Sequence, residues 1–147
     1  MAQQLSSQMK CTFVITGSED ELPLAKKLAA HITTPVLNAM GRVSIRQLGA
    51  LLSRCNLYIT NDTGPMHIAA LVKTPLVAIF GPGSLVRFDP RNISKKAIVL
   101  RKETKCAPCN KWECKALECL RKIAPHEVSE AALFLLRGNA SHGQEKS

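Results

Sequence analysis

The fold is decided by residues 56–70, whose sequence is NLYITNDTGPMHIAA. The first five of these residues form an apolar, strand-like run, and the residues from Met66 onward have the composition of a helix. The four residues that come before Met66, Asp62 to Pro65, are therefore expected to form a turn between a strand and a helix. Ligands of α/β proteins bind at turns of this kind.

The residues of this turn suit the binding of an anion. Thr63 or Asp62 can cap the helix, and Pro65 fits its first turn, where a backbone N–H has no helical partner. Gly64 allows a bound group to approach the backbone closely. The N–H groups at the start of the helix carry partial positive charge, and His67 can add a further donor. We therefore expect a phosphate at this turn.

Asp62 and His67 also allow other interpretations. A carboxylate at this position could act as a general base, although at a phosphate-binding turn it more often caps the helix or orients a neighbouring donor. His67 could instead be a histidine of the hydrophobic core. Its place one turn into an anion-binding helix favours a binding role.

Strand and helix patterns alternate along the rest of the chain. Residues 76–80 form a continuous apolar run, LVAIF, which is typical of a central parallel strand. Further strands are predicted at 10–16, 34–37 and 96–100, and helices at 20–29, 44–55, 66–72 and 125–137. This alternation predicts an α/β fold with three layers, in which a parallel sheet lies between helices. The loop at residues 81–84 is then expected beside the turn at residues 62–65.

A single domain is expected from the length of 147 residues. This length is sufficient for one hydrophobic core and too short for two full domains. Residues 1–10 and 139–147 are polar and are expected to be flexible. The predicted domain therefore covers residues 11–138 and includes a cysteine-rich segment at 106–119.

The amino-acid composition indicates which kinds of partner and which location are expected for this chain. The net charge of +9 favours anionic partners such as nucleotides, lipid headgroups or nucleic acid. Nucleic acid is disfavoured, because aromatic residues make up only 4% of the chain and are not interleaved with the basic ones. No apolar run reaches the roughly 20 residues that span a bilayer, and the polar start has no signal-peptide pattern, so a cytoplasmic location is expected.

Four of the six cysteines fall within residues 106–119. Cys106 and Cys109 have the Cys-x-x-Cys spacing, and Cys114 and Cys119 complete the ligand count of a structural zinc site. The later spacing is looser than in zinc ribbons. Reduced structural thiols are the favoured interpretation of this cluster, and zinc, oxidation after purification and an iron–sulfur cluster are the alternatives.

Residues 44–89 closely resemble the C-terminal half of the glycosyltransferase family 9 heptosyltransferases, which add ADP-activated heptose to the inner core of lipopolysaccharide. The most specific match is the Asp-Thr-Gly-Pro-Met-His run at residues 62–67, and the resemblance extends over about residues 13–136. It implies a Rossmann-like domain, the C-terminal half of a GT-B glycosyltransferase. It also implies a nucleotide-sugar site formed by Gly17, Glu21, Val43, Ser44, Asp62, Thr63, Gly64, Pro65 and His67.

The resemblance gives a role to two turns that precede this motif. In the family a glutamate hydrogen-bonds the ribose of the nucleotide, and Glu21 occupies that position, although an acid there also complements the helix dipole. Val43 and Ser44 lie in the turn that passes over the adenine in the family. The loop at residues 81–84 departs from the family pattern, in which a threonine and an acidic residue often follow Gly-Pro.

The resemblance also implies an inverting reaction that needs no metal or other cofactor. The catalytic base and the acceptor site belong to the N-terminal half of the family enzymes, which this chain is expected to lack, so it should bind an ADP-sugar and be inactive alone. Its implied partners are that ADP-sugar, a separate N-terminal acceptor-binding domain and the lipopolysaccharide core acceptor at the inner face of the inner membrane. The alternative is a stand-alone, non-catalytic module that binds nucleotides or is stabilised by zinc for interaction with a partner.

Overall fold

The computed structural model describes residues 1–111 and 113–140. The chain divides into two compact units, Met1–Leu48 and Gly49–Ser147. The single domain over residues 11–138 stays a prediction. Each unit has a sheet of its own, and all of the paired strands are parallel. Strands alternate with helices in both units, which confirms the α/β class.

The first unit is built on a two-stranded sheet. Its elements are helix α1 (Ala2–Gln8), strand β1 (Phe13–Ile15), a 3₁₀ turn (Glu19–Glu21), helix α2 (Leu22–Ala29) and strand β2 (Val36–Asn38). The two strands pair with Phe13 opposite Val36 and Ile15 opposite Asn38. Helix α3 (Ile45–Leu52) includes the residues at which one unit ends and the next begins.

The polar N-terminal residues form a helix where the sequence suggests a flexible segment. Leu5 is only 4% exposed within α1. The side-chain amide of Gln3 donates a hydrogen bond of 3.4 Å to the backbone oxygen of His31. A single buried leucine provides about 1.5–3 kcal/mol of hydrophobic free energy. The mostly polar composition of this segment gives no indication of that burial.

The second unit is built on a three-stranded sheet in the order β3-β4-β5. Its elements are β3 (Tyr58–Asn61), α4 (Gly64–Leu71), β4 (Leu76–Phe80), α5 (Leu85–Phe88), a 3₁₀ turn (Pro90–Asn92), β5 (Ala97–Arg101), α6 (Glu118–Arg121) and α7 (Pro125–Ala140). Strand β4 has the predicted bounds. Helix α7 passes through Gly138, where the sequence predicts its end, and residues 141–147 of the predicted tail lie outside the described residues.

The core of the second unit lies around β4. Leu76, Val77, Ala78 and Phe80 are 0% exposed, as expected for a central strand covered on both faces. Helices α4 and α7 both contact β4, and each contributes side chains that are fully buried. These are Met66, Ala69 and Ala70 of α4 and Ala132 of α7.

The register of this sheet fixes the positions of two loops. Strands β3 and β4 run parallel, with Tyr58 opposite Leu76 and Asn61 opposite Ile79. The turn that follows β3 and the loop that follows β4 therefore leave the sheet side by side. Within the described residues, none of the helices has the length and apolar character needed to cross a membrane.

We predict that Phe80→Ala lowers the free energy of unfolding by about 3–5 kcal/mol, because it leaves a cavity in the centre of the core. The control is Phe134→Ala, which makes the same chemical change at a side chain that is 72% exposed. It should change the free energy by less than about 1 kcal/mol. Urea denaturation followed by circular dichroism measures both values, and equal losses would contradict the burial of Phe80.

Candidate functional site

The turn between β3 and α4 contains the predicted anion-binding residues. The backbone N–H of Asp62 donates to the carbonyl of Ile79 over 3.2 Å, which continues the pairing of β3 with β4. Thr63 follows in extended conformation, with φ −143° and ψ 169°, and occupies the N-cap position of α4. Pro65 lies in the first turn of the helix. The predicted change from strand to helix therefore occurs at these residues.

The predicted side-chain cap is not formed by Thr63. Its hydroxyl makes no capping hydrogen bond and lies 3.4 Å from the carbonyl oxygen of Asn61 and 3.5 Å from the hydroxyl of Thr60. This local contact with the end of β3 competes with capping. Thr63 and Gly64 are both exposed, so the start of α4 is accessible to a ligand.

Gly64 leaves open space at the start of the helix. A Cβ atom built at this residue meets no atom within 4 Å. Packing within the described residues therefore does not require a glycine here. The open space is instead consistent with a group that approaches the backbone from outside.

His67 lies one turn into α4 and is half-buried. Its ring meets the ring of Phe88, at the end of α5, in an edge-on arrangement with centroids 6.1 Å apart and an angle of 63° between the planes. Phe88 is 41% exposed. The contact packs against one part of the imidazole and leaves the ring partly exposed, and its binding role stays a prediction.

Asp62 has an unusual electrostatic environment. Burial raises the pKa of its carboxyl above the ordinary value of 3.8, and the attraction of nearby His67 lowers that pKa only in part. Desolvation thus disfavours the ionised carboxylate at this turn. The carboxyl is therefore more readily protonated than one in water.

The loop that follows β4 packs directly against Asp62. A Cβ atom built at Gly83 would overlap Oδ2 of Asp62 and lie 3.3 Å from its Cγ. A larger residue at this position would force the carboxyl group of Asp62 to move. This contact confirms the prediction that the two loops lie next to each other at one edge of the sheet.

Glu21 and Gly17 come together in the first unit. Oε2 of Glu21 accepts hydrogen bonds from the backbone N–H and the hydroxyl of Ser18, both at 3.0 Å. A Cβ atom at Gly17 would lie 2.8 Å from the same oxygen and 2.7 Å from Cε of Met40. Glu21 therefore forms a capping box with Ser18 at the start of the 3₁₀ turn, and its contact with a ribose stays a prediction.

Ser44 likewise stabilises the start of a helix. Its backbone N–H donates to the side chain of Gln47 over 2.8 Å, and the N–H of Gln47 donates to the Ser44 hydroxyl over 3.3 Å. This reciprocal pair is a capping box, and it confirms the predicted cap of α3. Val43, which precedes it, is half-buried.

The four clustered cysteines line a single cavity of about 460 Å³ in the second unit. Cys106 and Cys114 are exposed, Cys109 is half-buried and Cys119 is 6% exposed. All six cysteines are free thiols. In residues 1–111 and 113–140, no three His, Cys, Asp or Glu side chains are arranged to hold a metal ion, so zinc stays a prediction.

Two supporting residues, Gly83 and Phe88, were not predicted. The Gly-Pro-Gly sequence after β4 indicates a tight loop, but it does not reveal which side chain needs the space at Gly83. Phe88 contacts His67 from a different helix. Because no local pattern encodes such a contact, the sequence gives no signal for it.

The matching family model is described as glycosyltransferase family 9 (heptosyltransferase), and it matches residues 1–120. Lipooligosaccharide heptosyltransferase 2 of Campylobacter jejuni is 36% identical over 107 residues, which are 71% of this chain and 33% of that protein. Lipopolysaccharide heptosyltransferase 3 of Escherichia coli is 41% identical over 73 residues, 49% of this chain and 22% of that protein. The chain thus spans at most about a third of these relatives.

Two solved structures have a similar fold. The structure of E. coli ADP-heptose lipopolysaccharide heptosyltransferase II matches 95% of this chain with a TM-score of 0.77 and 30% identity, and 40% of that chain is covered. The glycosyltransferase family 9 protein of Veillonella parvula matches 94% with a TM-score of 0.72 and 27% identity, and 42% of it is covered. The likeness therefore includes nearly all of this chain and less than half of each neighbour.

We predict that Gly83→Ala lowers the free energy of unfolding by about 1–3 kcal/mol, because the added methyl group displaces the carboxyl of Asp62. Gly138→Ala is the control, since a Cβ atom there meets nothing within 4 Å. It should be neutral or stabilising by up to about 1 kcal/mol. Urea denaturation measures the free energy of unfolding of both variants.

A double-mutant cycle identifies the atoms responsible for this loss. In an Asp62→Ala background the overlapping carboxyl is absent, so Gly83→Ala should be much less destabilising. An equal loss in both backgrounds would mean that the contact between Gly83 and Asp62 is not the cause.

The raised pKa of Asp62 predicts a dependence of stability on pH. The folded chain keeps the Asp62 proton to a higher pH than the unfolded chain. The stability that this proton contributes is therefore complete below pH 3.8 and is lost as the pH rises through the pKa of Asp62 in the folded chain. Asp62→Asn should therefore become more stable relative to wild type between pH 3.8 and neutrality. Urea denaturation at a series of pH values measures the difference.

Asp89→Asn provides a control of opposite sign. The hydrogen bond from the Arg91 side chain lowers the pKa of Asp89, and the two side chains form an ion pair of 2.7 Å. This variant should lose stability relative to wild type as the carboxylate ionises. A difference between Asp62→Asn and wild type that does not vary with pH would contradict the effect of burial on Asp62.

Proposed function

The chain belongs to glycosyltransferase family 9, the heptosyltransferases, and from this membership we propose that it forms the C-terminal half of such an enzyme and binds the nucleotide-activated sugar. The proposed donor is an ADP-heptose, the sugar named for the similar E. coli structure. The observation that carries the proposal is the exposed start of α4, with His67 one turn into the helix and Asp62 before it.

The diphosphate of the donor is proposed to bind at the start of α4. The N-terminal N–H groups of a helix point toward such an anion, and the helix dipole favours its negative charge. Thr63 does not cap this end with its side chain, and Gly64 leaves the approach open. Pro65 has no N–H to contribute, so it sets the direction of the helix and not a contact with the ligand.

His67 is the side chain proposed to complete the phosphate contact. A ring nitrogen that carries a proton donates a hydrogen bond to a phosphate oxygen, and the imidazolium form adds a positive charge. The edge-on contact with Phe88 restricts the ring beforehand, which reduces the entropy lost on binding.

Asp62 is proposed to respond to the same ligand. An ionised carboxylate beside a diphosphate would repel it, whereas a protonated carboxyl can donate a hydrogen bond to it. Burial already raises the pKa of Asp62, and a bound anion would raise that pKa further. Binding should therefore be accompanied by proton uptake at this residue.

The first unit is proposed to contact the nucleoside part of a nucleotide. Glu21 is the predicted partner of the ribose, and its hydrogen bonds to Ser18 fix the carboxylate in place. Gly17, Val43 and Ser44 are the other predicted contacts. These assignments rest on the family resemblance of the two turns.

The proposed reaction is an inverting transfer without a metal ion. A hydroxyl of the lipopolysaccharide acceptor attacks the anomeric carbon of the sugar as the bond to the diphosphate breaks, and a base takes the hydroxyl proton. The start of α4 and His67 stabilise the charge of the departing ADP. The base and the acceptor site are proposed to belong to an N-terminal domain, as the family resemblance implies, and transfer by the 147 residues alone is not expected on that basis. The lipid-linked acceptor would place this reaction at the inner face of the inner membrane.

Calorimetric titration with ADP, UDP and GDP tests the proposal. We predict saturable binding that prefers ADP, and an affinity at least about tenfold weaker for His67→Ala, because a hydrogen bond to a charged group contributes about 1.5–3 kcal/mol. His126→Ala is the matched control, since this exposed histidine lies at the start of α7 and should leave the affinity unchanged.

Two results would overturn the proposal. Failure of all three nucleotides to bind at about 1 mM would exclude a donor-binding role, because that concentration detects even interactions of about 4 kcal/mol. Transfer of heptose by the 147-residue chain alone would instead show that it is a complete catalyst. A stand-alone binding module is distinguished by ADP binding that no added acceptor domain converts into transfer.

A further inference from the structure

A cysteine-lined cavity lies in the second unit, and its lining includes none of the residues assigned to the nucleotide. We propose that the cavity of about 460 Å³ at residues 105–122 binds one soft, thiolate-preferring metal ion of the zinc class. Its ligands are the four cysteines that line the cavity, which are Cys106, Cys109, Cys114 and Cys119. This inference does not depend on nucleotide binding.

The composition of the cavity wall is the main observation. Four of the six thiols of the chain face one cavity, although they are spread over fourteen residues of sequence. Four sulfur ligands are the complete set of a closed, tetrahedral structural zinc site. Cys106 and Cys109 supply the Cys-x-x-Cys pair, and Cys119 supplies a buried anchor on α6.

The charges around the cavity suit this ligand set. Four thiolates and one divalent ion have a net charge of −2. Lys105 and Lys122 line the same cavity, and so does Glu118, whose carboxylate lies 3.7 Å from the Lys122 ammonium group. Two lysines and one glutamate leave one positive charge, which offsets part of the charge of the metal–thiolate group.

Two of the sulfur atoms already have polar neighbours. The backbone N–H of Leu117 donates to Sγ of Cys114 over 3.4 Å, and the hydroxyl of Thr104 lies 3.7 Å from Sγ of Cys106. Leu117 has a left-handed backbone, with φ 48° and ψ 30°, at the residue before α6. Hydrogen bonds of this kind to sulfur orient ligands and stabilise thiolates in metal sites.

Binding of the ion requires the thiols to move closer together. Within residues 1–111 and 113–140, no three potential ligands are arranged around a common point. Cys119 is fixed in α6 and is 6% exposed, but the other three cysteines lie between β5 and α6, where the described residues form no helix or strand. That backbone can adjust without breaking a sheet or a helix, and ion binding supplies the free energy for it.

The cavity is also connected to the loop that follows β4. Pro82 lines the cavity, and its carbonyl accepts a hydrogen bond of 3.0 Å from the N–H of Asn110. A Cβ atom built at Gly81 would lie 3.0 Å from Cδ2 of Leu120, next to Cys119. An ion held by the four thiols would therefore stabilise this loop as well as the cysteine segment.

Metal content tests the proposal directly. The full chain is incubated with zinc under reducing conditions, passed through gel filtration and analysed by mass spectrometry for bound metal. We expect about one zinc ion per chain, and a large loss of bound zinc in Cys109→Ser and Cys119→Ser, since each variant removes one of four ligands. Cys11→Ser and Cys55→Ser are the matched controls, because neither residue lines the cavity, and both should retain the ion.

A second measurement on the unmodified chain does not depend on the folding of a variant. Metal-free chain is titrated with Co²⁺, which should give the intense visible absorption of a tetrahedral tetrathiolate site, with an end point of about one ion per chain. Bound zinc should also protect four of the six thiols from a thiol reagent. No Co²⁺ absorption together with a thiol reactivity that zinc leaves unchanged, or disulfides among the four cysteines under reducing conditions, would overturn the proposal.

Discussion

The parallel pairing of β3 with β4 is the constraint on which the candidate site depends. This pairing places Asn61 opposite Ile79, and the hydrogen bond from the backbone N–H of Asp62 to the carbonyl of Ile79 extends the pairing by one residue. A shift of one residue in this register would turn the side chains of β3 to the opposite face and move the turn away from the following loop. The fully buried side chains of β4 make such a shift costly, so the core determines where Asp62 lies.

Asp62, in the candidate site, has an environment that disfavours its ionised form. Its carboxyl is partly desolvated, and it lies so close to Gly83 that a Cβ atom there would displace it. Folding therefore disfavours the ionised form of this carboxyl relative to the unfolded chain. Groups with such perturbed pKa values concentrate at functional sites, because a ligand can use an interaction that the fold does not satisfy.

Local patterns predicted the parts of this site that are encoded locally. The apolar run of β4, the change from strand to helix at Asp62–Pro65 and the cap of α3 by Ser44 all follow from residues close in sequence. The contacts of Gly83 with Asp62 and of Phe88 with His67 join separate elements, so no short pattern contains them. The same reason applies to α1, whose only buried residue is Leu5.

The two proposed sites lie in the same unit and differ in how far their binding groups are arranged before the ligand arrives. The start of α4 offers backbone dipoles that are oriented by the helix before any ligand arrives, so little reorganisation accompanies binding. The cysteine cavity has its ligands nearby but not yet arranged, so binding there must also order the chain. The hydrogen bond between Asn110 and Pro82 connects the second process to the loop that contains Gly83. Because Gly83 borders Asp62, ordering of the cysteine segment would restrict the same loop that shapes the anion-binding turn.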